Sequence, residues 1–317
     1  MTNADSPATP RIAIEVAATA QLACLLEASA PKPGNVSPGR PFADVCYEDF
    51  LASAAAIGGP LSGAGTRPLG QTIRLAVEAT GAWTPSNTNL GIVLLLAPLV
   101  RAAVLEPAGG GPVSLRDSLR RVIGATSVDD AREVYAAIRL AAPGGLGRAD
   151  AQDVADEPTV TLLEAMRLAA GRDLIAREYA TAFAITFETA VPALEGARRD
   201  GLSWNDAIVE TFLRLLAAVP DTHIARRGGE SLAVEVTREA QAALAAGGVR
   251  SPEGRRAIAE MDRVLRGGGN TANPGTTADL TTAAIFVVLL GGGFRNVGGP
   301  ERAALRESEG GHDAATR

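Results

Sequence analysis

The segment Leu90–Leu105 reads LGIVLLLAPLVRAAVL, and Arg101 is the only charged residue in it. The segment is longer than an average strand, which has about 5–6 residues, and shorter than the ~20 apolar residues needed to span a bilayer. It shows no alternation of polar and apolar positions. We therefore predict a buried central helix, kinked or restarted at Pro98, because proline removes a backbone donor and its ring clashes with the preceding turn.

The residues on both sides of this segment follow a helical pattern. Hydrophobic residues make up 46% of the chain but aromatic residues only 4%, a composition that suits helices packed through small side chains better than sheets. The spacing of apolar residues predicts further helices at 12–26, 48–57, 69–80, 114–123, 129–140, 161–191 (bent near Gly171), 203–218, 231–246, 252–265 and 276–290. We predict an all-α fold, a single-domain multi-helix bundle whose polar loops form one pocket.

Two segments look loosely structured. Residues 142–158 combine a Pro-Gly-Gly sequence with several acidic residues, and a loop of this length is often a lid or a disordered excursion. Beyond Gly298 the chain becomes polar and rich in glycine. We predict one helical domain at 10–298 and a disordered tail at 299–317.

Charge and composition exclude several classes of protein. The net charge of −6 gives no global reason to expect nucleic acid or another polyanion as a partner. Cys24 and Cys46 form no CxxC motif, so neither a disulfide framework nor a zinc site is indicated. The N-terminal residues lack the basic and apolar segments of a signal peptide. We predict a cytoplasmic protein that binds no membrane, and the sequence indicates no particular oligomeric state.

The first of four polar loops is Pro31–Asn35, PKPGN. Its two prolines fix the backbone and Gly34 permits close approach, so the loop should be a rigid turn that presents Lys32 and Asn35. Lys32 is the only lysine in the chain, and its ammonium group could bind phosphate as a point charge. An ordinary turn between two helices explains the loop equally well.

The second loop places Asn87, Thr88 and Asn89 directly before the central helix. Asparagine and threonine are common N-caps, so capping explains at least one of them. Three such residues beside the free N–H groups of a helix N-terminus would also suit an anion or a nucleotide.

The third loop, Pro220–Gly229, combines Asp221, His223, Arg226 and Arg227. The two arginines could bind phosphate through paired hydrogen bonds, and Asp221 could hold Mg²⁺ or orient an arginine. The alternative is a solvated turn that carries charges.

The fourth loop begins with a glycine run and continues through Asn273, Gly275 and Thr276 into a buried helix. Its backbone N–H groups could cradle a phosphate. Asp279 lies three residues after Thr276, so a capping box would explain it without any substrate. The chain contains neither a Walker A motif nor a dinucleotide-binding fingerprint.

Five motifs follow one another in a specific order. They are Pro31–Gly34, Arg67–Gly70, Asn87–Thr88 with Gly91, Pro220–Thr222 with Arg227–Gly229, and Asn273–Gly275 with Ala278–Leu280. This order resembles that of the triphosphoribosyl-dephospho-CoA synthase family, over residues 30–290. Each motif alone is weak, but five in a fixed order are specific.

The resemblance implies an activity. Members of this family are helical enzymes that act on ATP and 3′-dephospho-CoA. They displace adenine and join the triphosphoribosyl unit to the 2′-hydroxyl of the acceptor, which yields a prosthetic-group precursor for the acyl carrier subunit of citrate lyase or malonate decarboxylase. The expected partners are therefore ATP and 3′-dephospho-CoA or a related acceptor.

Two loops depart from the family pattern. The family often has Gly-Ala-His followed by an acidic residue where this chain has Gly39–Asp44, and Asn-Thr-His-Lys-Gly where it has Asn87–Gly91. The second change removes a histidine and a lysine from a loop expected to lie near substrate. These differences leave open a transferase of the same scaffold with another acceptor in another cofactor pathway, or a non-catalytic nucleotide-binding protein.

Adenine displacement requires a bound triphosphate, an acid near the adenine and a base for the incoming hydroxyl. We predict that Lys32, Arg226 and Arg227 bind the phosphates. Asp221 and Asp279 would bind Mg²⁺ or act as the base, and Glu188 is a weaker acid or base candidate. The asparagines that would position the sugar or the base are Asn87, Asn89 and Asn273. The other predicted substrate-binding residues are Gly34, Asn35, Thr88, Gly275 and Thr276.

Overall fold

The computed structural model describes residues 8–105 and 111–292. Within these ranges the chain forms helices and no strand, and the β pairing is limited to an isolated bridge between Ser37 and Arg40. The all-α prediction is confirmed. The predicted tail at 299–317 lies outside the described residues, as do residues 293–298.

Residues 8–105 form five helices, the last of which is the apolar segment Leu90–Leu105. Its helices are α1 (Ala8–Ser29), α2 (Tyr47–Ala56), α3 (Gly58–Ser62), α4 (Leu69–Gly81) and α5 (Leu90–Leu105). Helix α5 is buried along almost its whole length, and α1 and α4 pack against it. The most apolar stretch of the sequence therefore forms the centre of the bundle.

Helix α5 runs through Pro98 without a restart. Proline has no N–H group, so it cannot donate the hydrogen bond that the carbonyl of Leu94, four residues earlier, would otherwise accept. The buried Tyr179 hydroxyl donates to that carbonyl instead, at 2.7 Å. A side chain distant in sequence thus satisfies the acceptor that Pro98 leaves free in the core.

The second described range supplies the remaining helices. They are α6 (Gly111–Gly124), α7 (Val128–Ala141), α8 (Leu162–Ala169), α9 (Leu174–Thr181), α10 (Val191–Arg199), α11 (Trp204–Ala218), α12 (Thr222–Gly228), α13 (Glu230–Ala245), α14 (Pro252–Gly267) and α15 (Gly275–Leu290), with a π-helical turn at Thr186–Ala190 and a 3₁₀ turn at Gly248–Arg250. Helix α15 packs against α1, α5, α10 and α11. It forms a second central helix beside α5.

The prediction of one helix at 161–191 is wrong, although the first break lies at Gly171, where a bend was predicted. The chain breaks between α8 and α9, where Asp173 caps α9 by accepting a hydrogen bond from the N–H of Ala176. It breaks again after α9, where two residues adopt positive φ. There the buried carboxylate of Glu178 accepts hydrogen bonds from the N–H groups of Ile185 and Thr186, at 2.9 and 3.3 Å. These caps replace the helical hydrogen bonds that an unbroken helix would make.

The structure also corrects the predictions for the third loop and for the start of α15. Residues 222–228 form helix α12 rather than a turn, because Asp221 caps them. Helix α15 begins at Gly275 without a side-chain cap, so Thr276 and Asp279 do not form the predicted capping box.

The N-terminal helix is long and apolar. The segment Arg11–Ser29 meets the length and hydropathy criteria for a membrane span, but core helices of soluble proteins meet the same criteria. Here α1 packs against α2, α3, α5 and α15, and its apolar face forms part of the core.

Candidate active site

The polar loops converge on one large cavity of about 730 Å³. Its walls come from α1, α2, α5, α7, α8, α9, α12 and α15 and from residues 35, 44–45, 86–89, 142–155 and 270–273. Many of the predicted site residues line it: Asn35, Asn87, Thr88, Asn89, Arg226, Arg227, Asn273, Gly275, Thr276 and Asp279. The structure therefore brings together residues from all four loops.

Asp279 is the carboxylate of α15 that faces this cavity. Asp279 is half-buried and keeps exposed surface at the cavity, whereas every other residue of α15 from Thr276 to Leu289 is buried. No described residue donates a hydrogen bond to the Asp279 side chain. Burial raises the pKa of Asp279 well above its ordinary value, and the negative charges of Glu27 and Asp221 raise it further. Asp279 can therefore keep a proton at a pH where an exposed aspartate is ionised.

Gly91 makes room for this carboxylate. A Cβ atom at Gly91 would lie 2.0 Å from Asp279 Oδ2, far inside van der Waals contact. The glycine at the start of α5 is thus required by the close approach of α15.

Lys32 lies in a different place from the one predicted. Its side chain is fully buried and its Nζ lies 3.0 Å from Glu27 Oε1. Nζ also donates to the main-chain carbonyls of Glu27 and Ala30 at the end of α1. The turn folds the ammonium group back onto this helix C-terminus, where free carbonyls attract a cation. Lys32 does not line the cavity, so the geometry does not favour a direct contact with phosphate.

Glu27, the partner of Lys32, does line the cavity, and sequence reasoning missed it. It lies on the same face of α1 as the buried Ala20, Ala23 and Cys24, and an acidic residue on an apolar helix face was the available signal. Burial raises the pKa of Glu27 and lowers the pKa of Lys32, while their mutual attraction opposes both shifts. The pair supplies a second carboxylate beside Asp279.

Asp221 has a structural position. Its Oδ1 accepts hydrogen bonds from the N–H groups of His223 and Ile224, at 2.8 and 3.1 Å. Its Oδ2 accepts from the N–H and the hydroxyl of Thr277, both at 2.7 Å. The side chain is buried and does not line the cavity. With both oxygens bonded twice, Asp221 joins α12 to α15 and is not placed as a metal ligand or base.

The connection that Asp221 makes between α12 and α15 holds two arginines and a histidine at the cavity. Arg226 Nη1 lies 2.8 Å from Asp173 Oδ2, whereas its Nε is buried without a hydrogen-bond acceptor among the described residues. Arg227 contacts His223 Nε2 at 3.4 Å. Burial lowers the pKa of His223 to about 4, and the two arginines contribute to this shift. His223 is therefore neutral at pH 7, and the arginines are the positive groups of this wall.

Amide side chains connect the first and fourth loops. Asn35 donates to Asn273 Oδ1 at 2.7 Å, and Asn273 donates to Asn270 Oδ1 at 2.8 Å. Asn270 also lines the cavity and was not predicted. This chain of amides gives the cavity a wall of donors and acceptors suited to a sugar or a nucleobase.

The loop before α5 combines capping with exposure to the cavity. Asn87 Oδ1 accepts a hydrogen bond from the N–H of Leu90 at 3.2 Å, as the capping alternative predicted. Asn89 donates to Thr80 at 2.9 Å, and the Thr88 hydroxyl bonds with that of Ser53. All three loop residues also line the cavity.

Gly34 and Glu188 lie outside the cavity lining. Gly34 has φ +71°, its N–H donates to Asp262 at 2.8 Å, and a Cβ there would lie 2.6 Å from Leu265. Its role is therefore to let the first loop pack against α14. The Glu188 side chain is 62% exposed and pairs with Arg116 at 2.7 Å. Neither position supports the predicted contact with substrate.

Comparison with known proteins gives a consistent result. The family model described as ATP:dephospho-CoA triphosphoribosyl transferase (CitG) matches residues 13–297. A protein of Pseudomonas syringae pv. tomato named "Probable 2-(5''-triphosphoribosyl)-3'-dephosphocoenzyme-A synthase" is 30% identical, over 75% of this chain and 72% of its own length. A protein of Klebsiella pneumoniae named 2-(5''-triphosphoribosyl)-3'-dephosphocoenzyme-A synthase is 32% identical over 31% of this chain and 34% of its own length.

A solved structure shares the fold. The crystal structure of a proposed triphosphoribosyl-dephospho-CoA synthase from Archaeoglobus fulgidus aligns with a TM-score of 0.61 and 31% sequence identity. The alignment covers 78% of this chain and 99% of that one. Together with the match over residues 13–297, these similarities show that the chain belongs to the ATP:dephospho-CoA triphosphoribosyl transferase family.

Proposed function

We propose that this protein transfers the triphosphoribosyl unit of ATP to the 2′-hydroxyl of 3′-dephospho-CoA, with release of adenine, in the 730 Å³ cavity. Family membership supports this activity. The observation that carries the choice of site is the carboxylate of Asp279, which faces a cavity also lined by Arg226 and Arg227 and accepts no hydrogen bond from the described residues. The comparisons do not favour the other functions left open by the sequence.

The two arginines are placed to bind the triphosphate. A guanidinium group presents several N–H donors in a plane and forms paired hydrogen bonds with phosphate oxygens. Arg226 is held in place by Asp173 at 2.8 Å, and its side chain remains 24% exposed. Both arginines line the cavity, so Arg226 and Arg227 replace Lys32 as the principal phosphate ligands in our proposal.

The reaction breaks the C1′–N9 bond of ATP and forms a bond between C1′ and the acceptor 2′-oxygen. The hydroxyl loses one proton and adenine gains one, so proton transfer is balanced without external acid or base. Asp279, with its raised pKa, is suited to donate a proton toward the departing base. Glu27, also at the cavity, is suited to accept the hydroxyl proton.

The predicted Mg²⁺ requirement stays a prediction. The two predicted ligands do not form a metal site held by the protein. Both oxygens of Asp221 are already bonded to backbone and threonine donors, and only Asp279 lines the cavity. The described residues contain no cluster of three potential metal-ligating side chains. Mg²⁺ would therefore enter as its complex with ATP, bound mainly by phosphate oxygens.

The test is to incubate the protein with ATP and 3′-dephospho-CoA and to quantify free adenine by chromatography. We expect adenine release that depends on both substrates, and a fall of about 10²-fold or more in Asp279→Asn, as general acid–base catalysis contributes about 10²–10⁴-fold. Glu188→Gln is the matched control and should retain full activity, because Glu188 does not line the cavity.

Other outcomes would redirect the assignment. Adenine release with a different acceptor alone would favour a transferase of another cofactor pathway. Tight ATP binding without adenine release on any acceptor would favour a nucleotide-binding protein. Because both substrates are nucleotides of the cell interior, we place the reaction in the cytoplasm.

A further inference from the structure

One end of the cavity, which we call the apolar end, is rich in large apolar side chains. It is bounded by α7, α8, α9 and the segment 142–155, which contribute Val134, Ile138, Leu146, Met166, Leu168 and Ile175. The polar side chains of Arg139, Gln152, Asp153 and Arg172 line the cavity beside them. Leu146 and Leu168 are 44% and 60% exposed although they line the cavity. Large apolar side chains that remain exposed inside a concave site are typical of a surface that a ligand covers.

Hydrogen bonds anchor the second half of the segment 142–155. The Asp153 carboxylate accepts hydrogen bonds from the N–H groups of Ala149 and Ala155, at 2.5 and 2.9 Å. The Tyr135 hydroxyl donates to the carbonyl of Gln152, and Arg139 donates to that of Val154, at 2.6 and 2.7 Å. These hydrogen bonds hold residues 149–155 against α7, so the segment forms a wall of this end of the cavity.

The apolar end opens directly beside the proposed phosphate site. Gly145 packs against helix α12, where an added Cβ would lie 2.7 Å from the main-chain oxygen of Arg226. A molecule that places a phosphate group on Arg226 can therefore continue along the wall formed by 142–155. Small residues there, such as Gly144 and Gly147, leave the main chain accessible to amide groups of a ligand.

We propose that this apolar end binds the pantetheine arm of the acceptor, an inference that rests on the proposed function. The arm of 3′-dephospho-CoA begins at the diphosphate, carries two methyl groups on one carbon, and continues through two amides to a thiol. Its apolar carbons match the leucine, isoleucine and methionine side chains, and its amides match the main chain of 142–155. ATP has no such part, so the apolar end distinguishes the acceptor from the donor.

The test compares two acceptors that differ only in this arm. 3′-Dephospho-CoA carries it, whereas the β-methyl ester of ADP keeps the adenosine and the diphosphate charge without it. We expect Leu146→Asp and Leu168→Asp each to raise the KM for 3′-dephospho-CoA about tenfold, within the range found for changes in apolar pockets. The KM for the methyl ester should not change. Leu140→Asp is the matched control, since Leu140 is 56% exposed on α7 but does not line the cavity.

Several results would overturn this inference. Equal KM values of the wild type for the two acceptors would show that the arm is not bound. Equal effects of Leu146→Asp and Leu168→Asp on both acceptors, or no effect beyond that of Leu140→Asp, would also contradict it. If the wild type releases no adenine, the proposed function fails, and calorimetric binding of the two acceptors to the same variants still tests the apolar end separately.

Discussion

The buried pair of Lys32 and Glu27 allows the sharpest test of the geometry. Their side chains are 0% and 1% exposed and lie 3.0 Å apart. Lys32→Met keeps the length of the side chain but leaves the Glu27 carboxylate buried without its cation. Breaking a buried ion pair in this way costs about 3–5 kcal/mol, a large part of the roughly 5–15 kcal/mol that stabilises a typical domain. We expect the free energy of unfolding, measured in urea, to fall by this amount at pH 8.

The loss should depend on pH. Burial raises the pKa of Glu27 above its ordinary value, and the charge of Lys32 opposes this shift. Without Lys32 the folded pKa rises further, so the folded state binds a proton more tightly than the unfolded state, whose glutamate pKa is about 4.3. Tighter proton binding therefore stabilises the folded variant fully below the unfolded pKa of Glu27, and this stabilisation is lost as pH rises through the folded pKa. Between the two pKa values, the free energy of unfolding of Lys32→Met should fall by up to about 1.4 kcal/mol per pH unit.

A double variant separates stability from phosphate binding. Lys32→Met with Glu27→Gln removes both charges and should recover at least about 2 kcal/mol of the loss, since replacing both members of a buried pair costs far less than removing one. Its affinity for ATP, measured by calorimetry, should stay within about threefold of the wild type. Arg227→Met, which changes a residue that lines the cavity, is the comparison and should weaken ATP binding about tenfold or more.

Two results would refute this reasoning. If Lys32→Met unfolds at the wild-type urea concentration with the same pH dependence, the pair is not buried as described. If the double variant loses as much ATP affinity as Arg227→Met while Glu27→Gln alone does not, Lys32 contacts the phosphates directly, as the sequence first indicated.

The remaining predictions concern single contacts. Tyr179→Phe should lower the free energy of unfolding by about 1–3 kcal/mol because the carbonyl beside Pro98 loses its donor; adding Pro98→Ala, which restores an N–H group, should reduce that loss in urea titrations. Gly91→Ala should reduce adenine release by about 10²-fold while circular dichroism stays unchanged, because the new Cβ displaces Asp279. In the wild type, kcat should fall as pH rises through the raised pKa of Asp279, the alkaline limb that a required protonated acid produces; a flat alkaline profile would contradict this role.

The sequence was sufficient for most of the helices and for the set of loops at the site. The apolar run at Leu90–Leu105 and the helical spacing elsewhere identify helices because each pattern lies within one segment. The boundaries at the start of α7 and the end of α15 were predicted to within one residue. The break after α9 was not predicted. It depends on the carboxylate of Glu178, which caps the turn directly after α9, and the burial of this carboxylate is decided by the tertiary structure.

The sequence around Lys32, Asp221 and Asp279 did not predict the roles of these residues correctly. Lys32 stood out as the only lysine, yet its partner Glu27 and its burial depend on how the first loop folds onto the end of α1. Asp221 had the composition of a metal ligand, but Thr277, distant in sequence, takes up one of its oxygens. Asp279 fitted a capping box and instead faces the cavity.

The amino-acid order alone thus specifies an all-helical chain and a set of loops rich in polar groups, because helix periodicity and turn chemistry act over a few residues. The packing of α1 and α12 against α15 determines which of those polar groups are hydrogen-bonded within the protein and which remain free for a ligand. That distinction rests on hydrogen bonds between distant segments, and a polar group that lines the cavity without such a partner is the one available to bind or to transfer a proton.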